Sequence, residues 1–104
     1  MSNTAQGTFT SDGRGYFTGI YTMPDNTQRT FTGQFSSAVP AYSVPSSTIT
    51  YDGDLEGIHN VEGVIGASEM DSQLDNGVVL SGRLNAPVNR RYSVMGQGTW
   101  STPY

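Results

Sequence analysis

The chain has 104 residues, of which 35% are hydrophobic and 13% charged, with 13 glycines, no cysteine and a formal net charge of −4. That length holds one domain with one core. The missing cysteine excludes a disulfide framework and thiolate metal sites, and five arginines without a lysine are too sparse for the broad basic face that nucleic acid requires.

The N-terminal residues have neither a basic start nor an apolar run, so no signal peptide is expected. No stretch approaches the roughly 18 apolar residues of a spanning helix, and no membrane partner is expected. The compartment stays open between the cytoplasm and a secreted or virion fragment.

From Ala5 onward one pattern recurs, apolar-x-Gly-x-apolar. It appears as Ala5-x-Gly7-x-Phe9, Phe17-x-Gly19-x-Tyr21, Phe31-x-Gly33-x-Phe35, Tyr51-x-Gly53-x-Leu55, Val61-x-Gly63-x-Ile65 and Leu80-x-Gly82-x-Leu84, then as Val94, Gly96, Gly98 and Trp100. Period two is the strand period. The positions between are mostly Thr, Ser, Gln, Asp and Glu, which marks an antiparallel sheet with one wet face. Segments 4–11, 15–23, 28–37, 47–58, 61–72, 77–85 and 90–101 read as strands, with 67–74 as a separate short strand in an eight-stranded version.

Met23-Pro24-Asp25-Asn26-Thr27 reads as the turn of the first long hairpin. Pro suits the second position of a type I turn, and Asn tolerates the left-handed residue that follows. Pairing Met23 with Thr27 places Gly19 opposite Phe31 and Phe17 opposite Gly33, each glycine under an aromatic ring. The odd loop keeps both apolar sets on one face. Residues 38–46 carry two Val-Pro steps and read as a crossing loop or edge cover. Turns are expected at Asp12-Gly13, His59-Asn60, Asp75-Asn76-Gly77 and Asn85-Ala86-Pro87. Gln6-Gly7-Thr8-Phe9 and Gln97-Gly98-Thr99-Trp100 are near copies, and pairing of the first and last strands would close the sheet. The expected fold is a single all-β domain over 1–104, a small closed or nearly closed antiparallel barrel of seven or eight strands, with a flattened β-sandwich as the alternative.

Thr18-Gly19-Ile20-Tyr21 and Thr32-Gly33-Gln34-Phe35 resemble strands of the avidins and other calycins. The resemblance covers only these short pieces and implies an up-and-down barrel. It carries over no site residue, because the single tryptophan lies in the last strand.

Asp52, Asp54 and Glu56 alternate on one expected strand face. Strand neighbours on one face sit about 7 Å apart, too spread and too flat to wrap calcium, and open carboxylates lack the desolvation that acid catalysis needs. A solvated face is the simpler reading. His59 is the only histidine and falls at a rim or turn; no Gly-x-Ser-x-Gly elbow accompanies it. Tyr42, Tyr51, Tyr92, Trp100 and Tyr104 are the aromatics suited to binding. Tyr42 stands out because its Pro-bounded loop would expose it.

These residues point to a non-enzymatic binding module that takes a small ligand or glycan at a barrel rim. Tyr42, Tyr92, Trp100, His59 and Arg90, from the basic pair Arg90-Arg91, form the expected ligand-binding set. An alternative is a structural subunit forming homo-oligomers through its sheet faces. A second alternative is a small hydrolase or isomerase using His59 and nearby carboxylates. No catalytic residue, metal site or cofactor is assigned.

Overall fold

The computed structural model describes residues 3–24, 26–36, 39–52 and 55–101. Its strands are β1 (Asn3–Ser11), β2 (Tyr16–Thr22), β3 (Gln28–Phe35), β4 (Tyr42–Tyr51), β5 (Gly57–Ile65), β6 (Glu69–Leu74), β7 (Val79–Arg83) and β8 (Tyr92–Ser101). They form a closed antiparallel barrel in the order β1-β2-β3-β8-β5-β6-β7-β4, with β4 pairing back onto β1. The strict alternation of the sequence becomes an apolar interior and a Thr-, Ser- and Gln-rich outer wall.

This order is two Greek keys. In one, β4 returns beside β1 after the meander β1-β2-β3; in the other, β8 returns beside β5 after β5-β6-β7. The keys join through β3–β8 and β7–β4. The order therefore differs from the up-and-down barrel that the calycin resemblance implies. The matching strands also carry matching sequence. Tyr42-Ser43-Val44 opens β4 and Tyr92-Ser93-Val94 opens β8, while Ala5-Gln6-Gly7-Thr8-Phe9 in β1 corresponds to Val61-Glu62-Gly63-Val64-Ile65 in β5. The near copies in β1 and β8 occupy different places in the two halves. These strands do not pair: β1 lies between β2 and β4, and β8 between β3 and β5.

The first hairpin has the register that its turn residues require. Phe17 faces Gly33 and Gly19 faces Phe31. Met23 N donates to Thr27 O, Asn26 N donates to Met23 O, and Asn26 takes a φ of 70°. Asp25 itself lies outside the described residues. The ring cover of the glycines differs from expectation. Gly19 lies under Phe9 and Tyr21, and the Phe31 ring lies over Gly98. Gly33 instead abuts backbone, where a Cβ would collide with the Gln97 carbonyl of β8. Gly7 and Gly63, at matching positions in the two keys, abut the carbonyls of Ile20 and Asp71 in the same way. These glycines let neighbouring strands approach closely where the sheet coils.

Three boundaries need correction. First, 42–46 is strand, not loop. Thr8 faces both Pro45 and Ser46 in a β-bulge, since Gly7 pairs with Ser47 and Phe9 with Val44. A bulge tolerates proline, and β7 pairs only with 47–50, so the missing N–H of Pro45 breaks no ladder there. Second, β4 ends at Tyr51, so the acidic strand face does not form; Asp52 lies just past β4, and Gly53 and Asp54 lie outside the described residues. Third, His59-Asn60 is no turn. β8 pairs with β5 continuously from Gly57–Trp100 to Ile65–Tyr92, and the chain breaks instead at Gly66, which has a φ of 122°.

Candidate binding surface

The barrel interior is filled by rings. Phe9, Phe17, Phe31, Tyr21, Ile49, Ile65 and Leu80 are fully buried. Ring centroids lie 5.5 Å apart for Phe9–Phe17, 4.7 Å for Phe17–Phe35 and 4.7 Å for Phe31–Trp100.

That filling decides the place of two expected ligand contacts. Trp100 is 5% exposed and packs on Phe31 and Tyr21. Its Nε1 is buried without an acceptor among the described residues. Tyr42 is 6% exposed, stacks on Phe9, and directs its hydroxyl at Met70 Sδ 3.8 Å away. The Pro-bounded loop that would expose it does not form; Tyr42 opens an inward-facing strand and is buried there. Burial drives the Tyr42 phenol well above its ordinary pKa. Tyr51 is half-buried against the core, and Tyr104 lies outside the described residues.

Tyr92 and Arg90 do come together. The Arg90 guanidinium sits 4.5 Å from the Tyr92 ring centroid, and the Tyr92 hydroxyl donates to Asn89 Oδ1 at 2.6 Å. The cation already occupies one face of the ring, and Arg90 is exposed.

His59 faces Asp75 of the β6–β7 turn. Its Nδ1 is 2.7 Å from Asp75 Oδ1, and its Nε2 is 2.8 Å from the Glu56 carbonyl. Asp75 Oδ2 accepts from Asn60 N at 3.1 Å. Both ring nitrogens therefore face acceptors, an arrangement that the doubly protonated ring satisfies best. The hydrogen bond to Asp75 is the main cause that raises the His59 pKa above the ordinary imidazole value. The Asn60 amide, and then His59, hold the Asp75 carboxyl below its ordinary range. Both ring nitrogens are thus engaged by Asp75 and the Glu56 carbonyl, and among the described residues neither contacts a serine or threonine hydroxyl.

The outer wall of β3, β8, β5 and β6 carries an open groove of about 1070 Å³. Register places its polar side chains in rows. Gln34 faces Gln97, and Gln97 faces Asn60, while Tyr16 flanks Gln34 on β2. One row over, Met95 faces Glu62, and Glu62 faces Gln73. All of these side chains are exposed. Ile58 and Met95, 64% and 58% exposed, are large apolar side chains beside the amide row. None of these outer-wall residues belongs to the expected ligand-binding set. Strand alternation in the sequence marks the others as outward positions, while Asn60 reads there as a turn residue; only the insertion of β8 between β3 and β5 brings them to one surface.

Comparison with protein-family models, with curated proteins and with solved structures finds no match for this chain.

Proposed function

We propose that this protein is a non-enzymatic binding module whose ligand, a hydroxyl-rich chain such as a glycan, lies across the outer wall of β3, β8, β5 and β6. The observation that carries this reading is the exposed amide row Gln34–Gln97–Asn60 on three adjacent strands. A primary amide offers a donor pair and an acceptor in one plane, which suits neighbouring hydroxyls. Ile58, Met95 and the ring of Tyr16 supply apolar surface beside that row, as binding sites with a few placed polar groups do. A peptide adding as an extra strand would need a free sheet edge, and the described strands close on themselves.

Screening against an immobilised glycan panel, followed by calorimetric titration of the best binder, tests this. Gln97→Ala and Gln34→Ala should each weaken binding by about tenfold, the equivalent of one lost hydrogen bond. Unchanged affinity in both variants, or no binder in the panel, would sink the proposal. Exposed Ile58 and Met95 also favour a second reading, self-association through the same wall. Sedimentation separates the two: a sedimentation coefficient that rises with concentration in the wild type and not in Met95→Glu supports assembly.

A further inference from the structure

We infer that the chain held in this groove is extended and cationic, with primary ammonium groups as in an oligomer of glucosamine; this rests on the glycan reading above. Its length follows from continuity. A second groove, of about 460 Å³, crosses β8, β5, β6 and β7 and shares Glu62, Gln73 and Met95 with the first. Together they cross five neighbouring strands, roughly 19 Å at about 4.8 Å per strand spacing, which is longer than one hexose ring.

Its charge follows from what lines the surface. Among the described residues, the charged ones lining the two grooves are Glu62, Asp71 and Asp75, and no Arg or His lines either groove. Asp75 is already engaged by His59 and Asn60. Glu62 and Asp71 have no ion pair or side-chain hydrogen bond among the described residues. They are exposed, and they sit on adjacent strands in diagonal register, since Glu62 faces Gln73 and Val64 faces Asp71. Such diagonal neighbours lie about 7–8 Å apart. Two like charges left unneutralised beside exposed Met95 complement a ligand that brings positive charge.

The other half of the barrel serves as an internal comparison. Gln6 of β1 stands where β5 has Glu62, and it is hydrogen-bonded to Thr48 of β4 at 3.0 Å. The outer face of β2, the counterpart of β6, carries Tyr16, Thr18, Ile20 and Thr22 and no carboxylate. Within the described strands, carboxylates thus occur only on β5 and β6, while exposed Asp52 lies past the end of β4.

Three β-1,4-linked hexamers that differ only at C2 test the inference by calorimetry with the full chain: glucosamine (ammonium), N-acetylglucosamine (acetamide) and glucose (hydroxyl). The glucosamine hexamer should bind at least about tenfold tighter than the other two in low salt, and raising the salt to about 0.5 M should erase most of that advantage. Glu62→Gln with Asp71→Asn should remove the preference and leave the unfolding midpoint near that of the wild type. Equal or tighter binding of either neutral hexamer overturns the cationic ligand while leaving the glycan reading standing. Equal affinity for the glucosamine dimer and hexamer overturns the extended ligand. If none of the hexamers binds, the inference falls, and the glycan reading is judged by the broader panel alone.

Discussion

The Tyr21 hydroxyl lies 2.8 Å from Ser47 Oγ at the centre of the barrel, and Ser47 Oγ donates in turn to the Ser81 carbonyl at 3.1 Å. With that direction set, Tyr21 is the donor to Ser47. The relay crosses the interior from β2 to β4 to β7, so one buried serine ties the meander of the first key to the seam between the keys. Ser47→Ala leaves the Tyr21 hydroxyl without this partner and should cost about 1–3 kcal/mol in urea unfolding. Adding Tyr21→Phe to Ser47→Ala should cost less than the sum of the two single changes. Strict additivity would show that the pair is not coupled.

Alkaline titration followed by ultraviolet absorbance reads the same burial. Desolvation pushes the Tyr21 pKa up to about 12, against a smaller opposing effect of the Ser47 hydrogen bond, and it carries Tyr42 upward as well. Both phenols should remain protonated past the ordinary tyrosine value of about 10. Ionisation of all tyrosines in a single step near the ordinary value of about 10, with the fold intact, would contradict the packed interior.

Glycine substitutions should divide by what their Cβ meets. Gly33→Ala drives a methyl into the β8 backbone, which has no rotamer to give, and should cost about 3 kcal/mol or more. Gly19→Ala meets the Phe9 and Tyr21 rings at 2.9 and 3.0 Å; rings can shift, so about 1–2 kcal/mol is expected. Gly77→Ala meets nothing within 4 Å and is opposed only by its φ of 89°, which costs about 1 kcal/mol. Denaturant midpoints of the three variants check that order.

The His59–Asp75 pair gives stability a pH dependence. The raised His59 pKa contributes stability that is fully present below about pH 6.5, the ordinary imidazole value, and is lost as pH rises through the folded value. The lowered Asp75 pKa contributes stability present above the ordinary aspartate value of about 3.9 and lost as pH falls through the folded value. The pair therefore acts most fully between about pH 4 and 6.5. His59→Gln should flatten the wild-type stability profile on the alkaline side of that window and only in part on the acid side, where the Asn60 amide still holds Asp75, as read by thermal melts across pH. A variant profile parallel to the wild type at every pH would remove the pair as its cause.

Trp100 is the single tryptophan, and its burial makes its fluorescence a core signal. Emission should be blue-shifted in the native state and move red on unfolding. Glycan binding on the outer wall should leave it unchanged. Ligand-dependent quenching in the folded protein would instead place the ligand beside Trp100 and overturn the outer-wall site.

The strand class, the inward and outward alternation of most strands, and the register of the first hairpin are legible in the sequence. Those depend on local physics: a two-residue period, and a turn in which Pro24 and Asn26 meet defined backbone angles. Met23 pairs with Thr27 because the three-residue loop allows that pairing without flipping either apolar set. Which strands become neighbours is not local. Sequence places Gln34 and Gln97 far apart, and the Gln-Gly-Thr likeness of β1 and β8 suggests a pairing that the barrel does not make. The three-dimensional fold places β8 between β3 and β5, which assembles the amide row and sets Glu62 beside Met95. It also decided that Tyr42 is core. The two prolines around Tyr42 suggest an open loop, but a bulge absorbs Pro45 and lets the strand continue inward. Packing between distant strands set both outcomes.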